Sequence, residues 1–99
     1  MDDSSPAETI AELRRLIAEV DAAVVASVNR RIELVAELKR FKEARGVAFV
    51  DPEQERRLLA ELAQTNPGPL SEAGLVEVVA AILAVTKREV AAFEPRRSS

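Results

Sequence analysis

Between Pro6 and Gly46 the chain contains no glycine and no proline. Those two residue types interrupt helices most strongly. The stretch therefore predicts a single helix from about Pro6 or Ala7 to Arg45, stopped by Gly46 at the C′ position. An apolar seam spaced alternately by three and four runs along it: Ile10, Leu13, Ile17, Val20, Val24, Ser27, Arg31, Leu34, Leu38, Phe41 and Arg45. That is a heptad-like stripe, and Val25, Val28, Ile32 and Val35 widen it beyond a two-stranded seam. A helix of ~39 residues is ~58 Å long. A compact domain of ~100 residues has a radius of gyration of only about 13 Å. Such a helix outruns a single-chain globule, and its stripe needs cover along its whole length. A second copy of the chain is the simplest cover. The expected architecture is an intertwined all-α homodimer of chains with one very long, one short and one medium helix.

The short helix opens at Asp51, a good N-cap, with Pro52 at N1 and Gln54 at N3 to complete a capping-box pattern. Leu58, Leu59 and Leu62 form its apolar face. It ends near Gln64, because Thr-Asn-Pro-Gly-Pro at 65–69 cannot continue it. The medium helix starts after Ser71 and runs to about Phe93, with Leu75, Val78, Val79, Ile82, Leu83, Thr86, Val90 and Phe93 on one face. Residues 1–6 and 95–99 read as frayed ends, and residues 1–99 as a single domain.

Composition narrows the function. There is no cysteine and no histidine, so thiolate chemistry is excluded and the commonest metal ligand and general base are missing. Tryptophan and tyrosine are absent and only three phenylalanines are present, which excludes an aromatic platform for nucleic acid. A net charge of −3 also does not suit a nucleic-acid binder. No apolar run is long enough to span a membrane. The N-terminus, Met-Asp-Asp-Ser-Ser-Pro-Ala-Glu, lacks the basic and apolar regions of a signal peptide, so a cytoplasmic location is expected.

The long helix carries cations where its pattern should be apolar. Arg31 occupies a seam position. Lys42 lies eleven residues later at almost the same azimuth, ~16 Å further along. Arg14 sits roughly 100° around the axis from Arg31, better placed to reach a pocket on a partner chain than one on its own. Three cations converging on a dimer cavity would bind a small dianion. Taken singly, each residue has a plainer explanation. Arg31 also suits a register-setting polar position, Lys42 a helix-end lysine facing the macrodipole, Asp51 a cap, and Glu55 a pair for a nearby arginine.

Four stretches, in order, resemble the all-α chorismate mutases: Leu-Arg-Arg-Leu-Ile-Ala-Glu-Val-Asp at 13–21, Asn-Arg-Arg-Ile-Glu-Leu-Val at 29–35, Lys-Arg-Phe-Lys at 39–42 and Asp-Pro-Glu-Gln-Glu-Arg at 51–56. Asn-Pro-Gly-Pro at 66–69 is similar to a loop of some members, and the likeness covers about residues 8–90. The resemblance implies an intertwined three-helix dimer with shared active sites. It also implies an isomerase of the shikimate pathway and aromatic amino acid biosynthesis, which rearranges the dicarboxylate chorismate to prephenate without a cofactor or metal. Carried over residue by residue, Arg14 of one protomer and Arg31 of the other would hold the two carboxylates. Lys42 would face the ether oxygen of the breaking C–O bond. Asp51 and Glu55 would address the ring's C4 substituent, Leu38 would line the ring, and Thr86 matches a serine that contacts the substrate.

Two positions depart from the family pattern. Gln54 stands where an arginine is usual, and Val90 where Gln or Glu joins the lysine at the ether oxygen. The departures allow a weak chorismate mutase that needs a partner enzyme, and they leave three possibilities beside a chorismate mutase. One is the same rearrangement of 4-amino-4-deoxychorismate in antibiotic biosynthesis. Another is isochorismate–pyruvate lyase activity. The last is a non-catalytic helical dimerisation domain.

Overall fold

The computed structural model describes residues 5–93. Three helices, α1 (Pro6–Ala44), α2 (Pro52–Thr65) and α3 (Glu72–Ala92), make up the fold, and no strand occurs among the described residues. Most of the two expected frayed ends, residues 1–4 and 95–99, lies outside the described residues. Ser5 and Pro6 instead open α1. The Ser5 hydroxyl accepts the Glu8 amide at 3.1 Å, so Ser5 is the N-cap and Pro6 takes N1. By its contacts the chain divides into two compact units, one up to Arg30 and the other from Arg31 onward, with the boundary inside α1.

The first unit is helical from Pro6 to the boundary. One side carries Ile10, Leu13, Ile17, Val20 and Val24, all at least half exposed. Its polar surface is organised by Arg15, which reaches Glu12 three residues back and Glu19 four residues on, the latter at 2.6 Å. The hydrogen bond that Arg15 donates to Glu12 raises the Arg15 pKa above its ordinary value, against an opposing effect of burial.

In the second unit the turns fix where the helices point. At the end of α1 the Val47 amide donates to the Lys42 carbonyl at 2.9 Å and the Gly46 amide to the Glu43 carbonyl at 3.3 Å. This is the Schellman arrangement, and Gly46 adopts the left-handed φ of 67° that it requires. Helix α2 begins where the Asp51 carboxylate accepts the Gln54 amide at 3.2 Å, with Pro52 at the first helical position. The reciprocal half of the expected capping box does not form, and Gln54 lines a cavity. Between α2 and α3, the Asn66 side chain donates to the Leu70 carbonyl at 2.8 Å and accepts the Gly68 amide at 3.0 Å. Ser71 then caps α3 through the Gly74 amide at 3.0 Å. Helix α2 packs on α3, and among the described residues the buried ones are Ala36 of α1 and Leu75, Val79, Thr86 and Val90 of α3.

Gly46 provides a test of this local logic. A Cβ there would meet no atom within 4 Å, so only the backbone conformation resists a side chain. Gly46→Ala is expected to lower stability by about 1–2 kcal/mol, read as a reduced urea midpoint with an unchanged m value at fixed protein concentration. Gly46→Asn should cost less, because asparagine tolerates the left-handed region.

Candidate active site

The second unit holds a pocket of about 300 Å³, at the small end of the range for ligand cavities. Its apolar walls come from Val35 and Leu38 of α1, Phe49 and Val50 of the linker, Leu58 of α2 and Leu83 of α3. Its polar lining is Arg31, Lys42, Asp51, Gln54, Glu55, Thr86 and Lys87. Three cations against two carboxylates leave the lining net positive.

Each polar group is placed by a definite local cause. Arg31 is half-buried, and its Nη1 donates to the Thr86 Oγ1 at 2.6 Å. Thr86 is 2% exposed, and its own proton goes to the Ile82 carbonyl at 2.6 Å. The threonine hydroxyl is thus filled as donor and available as acceptor, which suits a guanidinium. No carboxylate pairs with Arg31 among the described residues. Lys42 is half-buried in the last turn of α1, and its ammonium also makes no ion pair among the described residues.

The linker after α1 is steadied by Lys39, whose Nζ lies 5.8 Å from the centroid of the Phe49 ring. That contact helps hold Phe49, Val50 and Asp51 at the cavity. Glu55, one turn into α2, pairs with Lys87 of α3 at 2.8 Å. The pair is partly exposed, so its net contribution to stability is about 0–1 kcal/mol.

Of the residues singled out from the sequence, the structure gathers Arg31, Leu38, Lys42, Asp51, Gln54, Glu55 and Thr86 around this pocket. Val90 is not among the lining residues. It is 4% exposed and packs at a separate cavity lined also by Ala36, Phe41 and Phe93. The reason is distance along the helix: Val90 shares the azimuth of Thr86 closely but lies ~6 Å further on. Arg14 belongs to the first unit and is exposed.

Lys87, Phe49, Val50, Leu58, Leu83 and Val35 line the pocket but were not singled out as site residues. The signal for Lys87 lay in spacing. Leu83, Thr86 and Lys87 stand at i, i+3 and i+4, which places them on one helix face.

Among known proteins, the family model for chorismate mutase type II matches residues 13–90. The chain belongs to the chorismate mutase type II family. Its fold is similar to that of chorismate mutase (form I) from Thermus thermophilus. The two share 27% identity over 79% of this chain and 98% of that one, with a TM-score of 0.76. Form II of the Thermus thermophilus enzyme gives a TM-score of 0.81 at 24% identity, over 88% of this chain and 99% of the other. No curated protein sequence matches the chain significantly.

The Arg31–Thr86 bond can be tested separately from catalysis. Thr86→Val keeps the volume of the side chain but removes the acceptor from a half-buried guanidinium. A hydrogen bond to a charged group contributes about 1.5–3 kcal/mol, and a loss of that size is expected in urea unfolding. Thr86→Ser, which keeps the hydroxyl, should lose much less.

Proposed function

We propose that the chain catalyses the [3,3] rearrangement of chorismate to prephenate as a homodimer. Each site would consist of the pocket of one protomer completed by Arg14 of the other. The observation that carries this reading is the pairing state of the pocket. Arg31 and Lys42 reach an apolar-walled cavity with no carboxylate partner among the described residues. Unpaired, half-buried cations are costly unless something anionic occupies the space. Chorismate is a compact dianion of suitable size.

The reaction breaks one C–O bond and forms one C–C bond within a single molecule. It needs no nucleophile, proton donor or redox partner, which fits a chain without His or Cys. Two effects can drive it. Arginine clamps on the carboxylates hold the chair-like conformer in which the reacting ends meet. A fixed ammonium stabilises the negative charge that grows on the ether oxygen as the C–O bond stretches. An acceleration of ~10⁶ requires about 8 kcal/mol, a sum within reach of these effects together.

The charge of the lining favours chorismate over its 4-amino analogue. An ammonium at C4 would need an available acidic partner. Glu55 is already paired with Lys87, and Asp51 accepts the Gln54 amide as the cap of α2. Each carboxylate keeps lone pairs that a hydroxyl or an ammonium can use, so the preference rests on the net positive lining, which opposes an added cation. In parallel assays the protein should therefore show a higher kcat/KM on chorismate than on 4-amino-4-deoxychorismate. The reverse order would assign the site to the amino substrate.

The dimer is supported by what α1 leaves uncovered. Val20 and Val24 of the first unit are 62% and 56% exposed, and Leu34, Leu38 and Phe41 of the second unit are also exposed. Sedimentation at micromolar concentration should give about twice the chain mass of 10.8 kDa. A folded monomer there would overturn the assembly.

Lys42→Ala should reduce kcat by about 10²-fold or more, as for loss of an oxyanion donor, while the dimer stays folded. Site sharing has its own test. Arg14→Ala and Lys42→Ala proteins, each nearly inactive, are mixed, unfolded and refolded together. Half the dimers are then mixed, and each of those has one intact site, so about a quarter of wild-type activity should return. No recovery, with mixed dimers demonstrated, would place Arg14 in its own protomer's site, and an Arg14→Ala protein of ordinary activity would place it outside the site.

A further inference from the structure

We infer that Lys87 is a substrate-binding residue, a third cation that takes one carboxylate of the dianion. The inference rests on the reading of this pocket as the active site. Lys87 lines the pocket from α3, beside Leu83 and Thr86 on the same face. Its Nζ is held 2.8 Å from the Glu55 Oε1, and Glu55 lines the same cavity from α2. The pair therefore holds the ammonium beside Glu55 at the cavity wall, although the lysine side chain is half exposed.

The chemistry of the substrate gives that charge a task. The molecule presents three anionic loci during the reaction: two carboxylates and the ether oxygen as the C–O bond breaks. The protomer's own lining has three cations: Arg31, Lys42 and Lys87. Arg31 has committed one nitrogen to Thr86 and keeps the rest of its donors for a carboxylate. Lys42 is reserved for the ether oxygen. Lys87 is left for the remaining carboxylate, shared with whatever the partner protomer adds. An ammonium has three donors, so Lys87 can keep Glu55 and still bind a substrate oxygen. Glu55 is in that case a positioning residue for Lys87. Because the ion pair is partly exposed, the lysine stem can adjust as substrate enters without disturbing a packed element.

Steady-state kinetics on chorismate, with the full-length dimeric protein, test this. Lys87→Met keeps the apolar stem and removes the charge, and Lys87→Gln repeats the removal with a polar end. Both are expected to raise KM about tenfold or more with a much smaller change in kcat, the pattern of lost ground-state binding. Lys87→Arg should restore most of the affinity. A role confined to holding Glu55 makes a different prediction: in a Glu55→Gln background, Lys87→Met would then change nothing further. Substrate binding requires KM to rise in that background too. Gln54 lines the same cavity from α2, so Gln54→Arg in the Lys87→Met protein should recover part of the lost affinity. An active wild-type protein with unchanged KM in both charge-removing variants overturns the inference and leaves the proposed function standing. A wild-type protein without turnover on chorismate overturns the function itself.

Discussion

The hydrogen bond from Arg31 to the Thr86 hydroxyl is the interaction on which the pocket depends. It ties the C-terminal half of α1 to the buried face of α3 at a point where no hydrophobic pair could orient a guanidinium. Thr86 can serve because its proton is already committed to the Ile82 carbonyl, so its lone pairs face the arginine. A valine in the same space would pack as well and orient nothing. Once that contact is fixed, Leu83 and Lys87 share the cavity-facing side of α3, and Glu55 of α2 finds its partner there.

The pocket has an uneven distribution of charge. Its carboxylates are engaged within the protein, one in capping α2 and one in the pair with Lys87. Two of its cations, Arg31 and Lys42, have no acidic partner among the described residues. Such an arrangement would be poor design for a structural core, where a half-buried cation without a counter-ion is destabilising. It suits a site whose counter-ion is the ligand. In the proposed reaction, binding the dianion would satisfy the protein's own electrostatics, and the charge growing on the ether oxygen would meet a group that needs no reorganisation.

Much of this was legible in the sequence because it depends on local rules. The absence of Gly and Pro across α1, the Gly46 stop, the Asp51-Pro52 start and the Ser71 cap each act within a few residues. The cations on the apolar stripe were visible for the same reason: periodicity places Arg31 and Lys42 on one face. What periodicity cannot supply is position along a neighbouring helix. Thr86 and Val90 share an azimuth, and only packing decides that one meets Arg31 while the other is buried beside Ala36. Lys87 escaped notice because an exposed lysine on a helix is ordinarily solvated, and its significance comes from Glu55, a residue 32 positions away in sequence.

Gln54 serves both the start of α2 and the wall of the pocket. Its backbone amide completes the cap of α2, so the main chain at that position is fixed by Asp51 whatever side chain it carries. The side chain is thereby released from the helix start and is available to the pocket, which it lines. Asp51 in turn is a wall of the pocket and the start of the helix that carries Gln54 and Glu55, so the helix that presents the polar wall begins at the site itself. Stability of α2 and placement of the polar wall are therefore not separable properties here. A change that loosens the cap moves Gln54, Glu55 and, through Glu55, the ammonium of Lys87. The cap of α2 thus positions one polar wall of the pocket, while Arg31, Thr86 and Lys87 are placed from the interiors of α1 and α3.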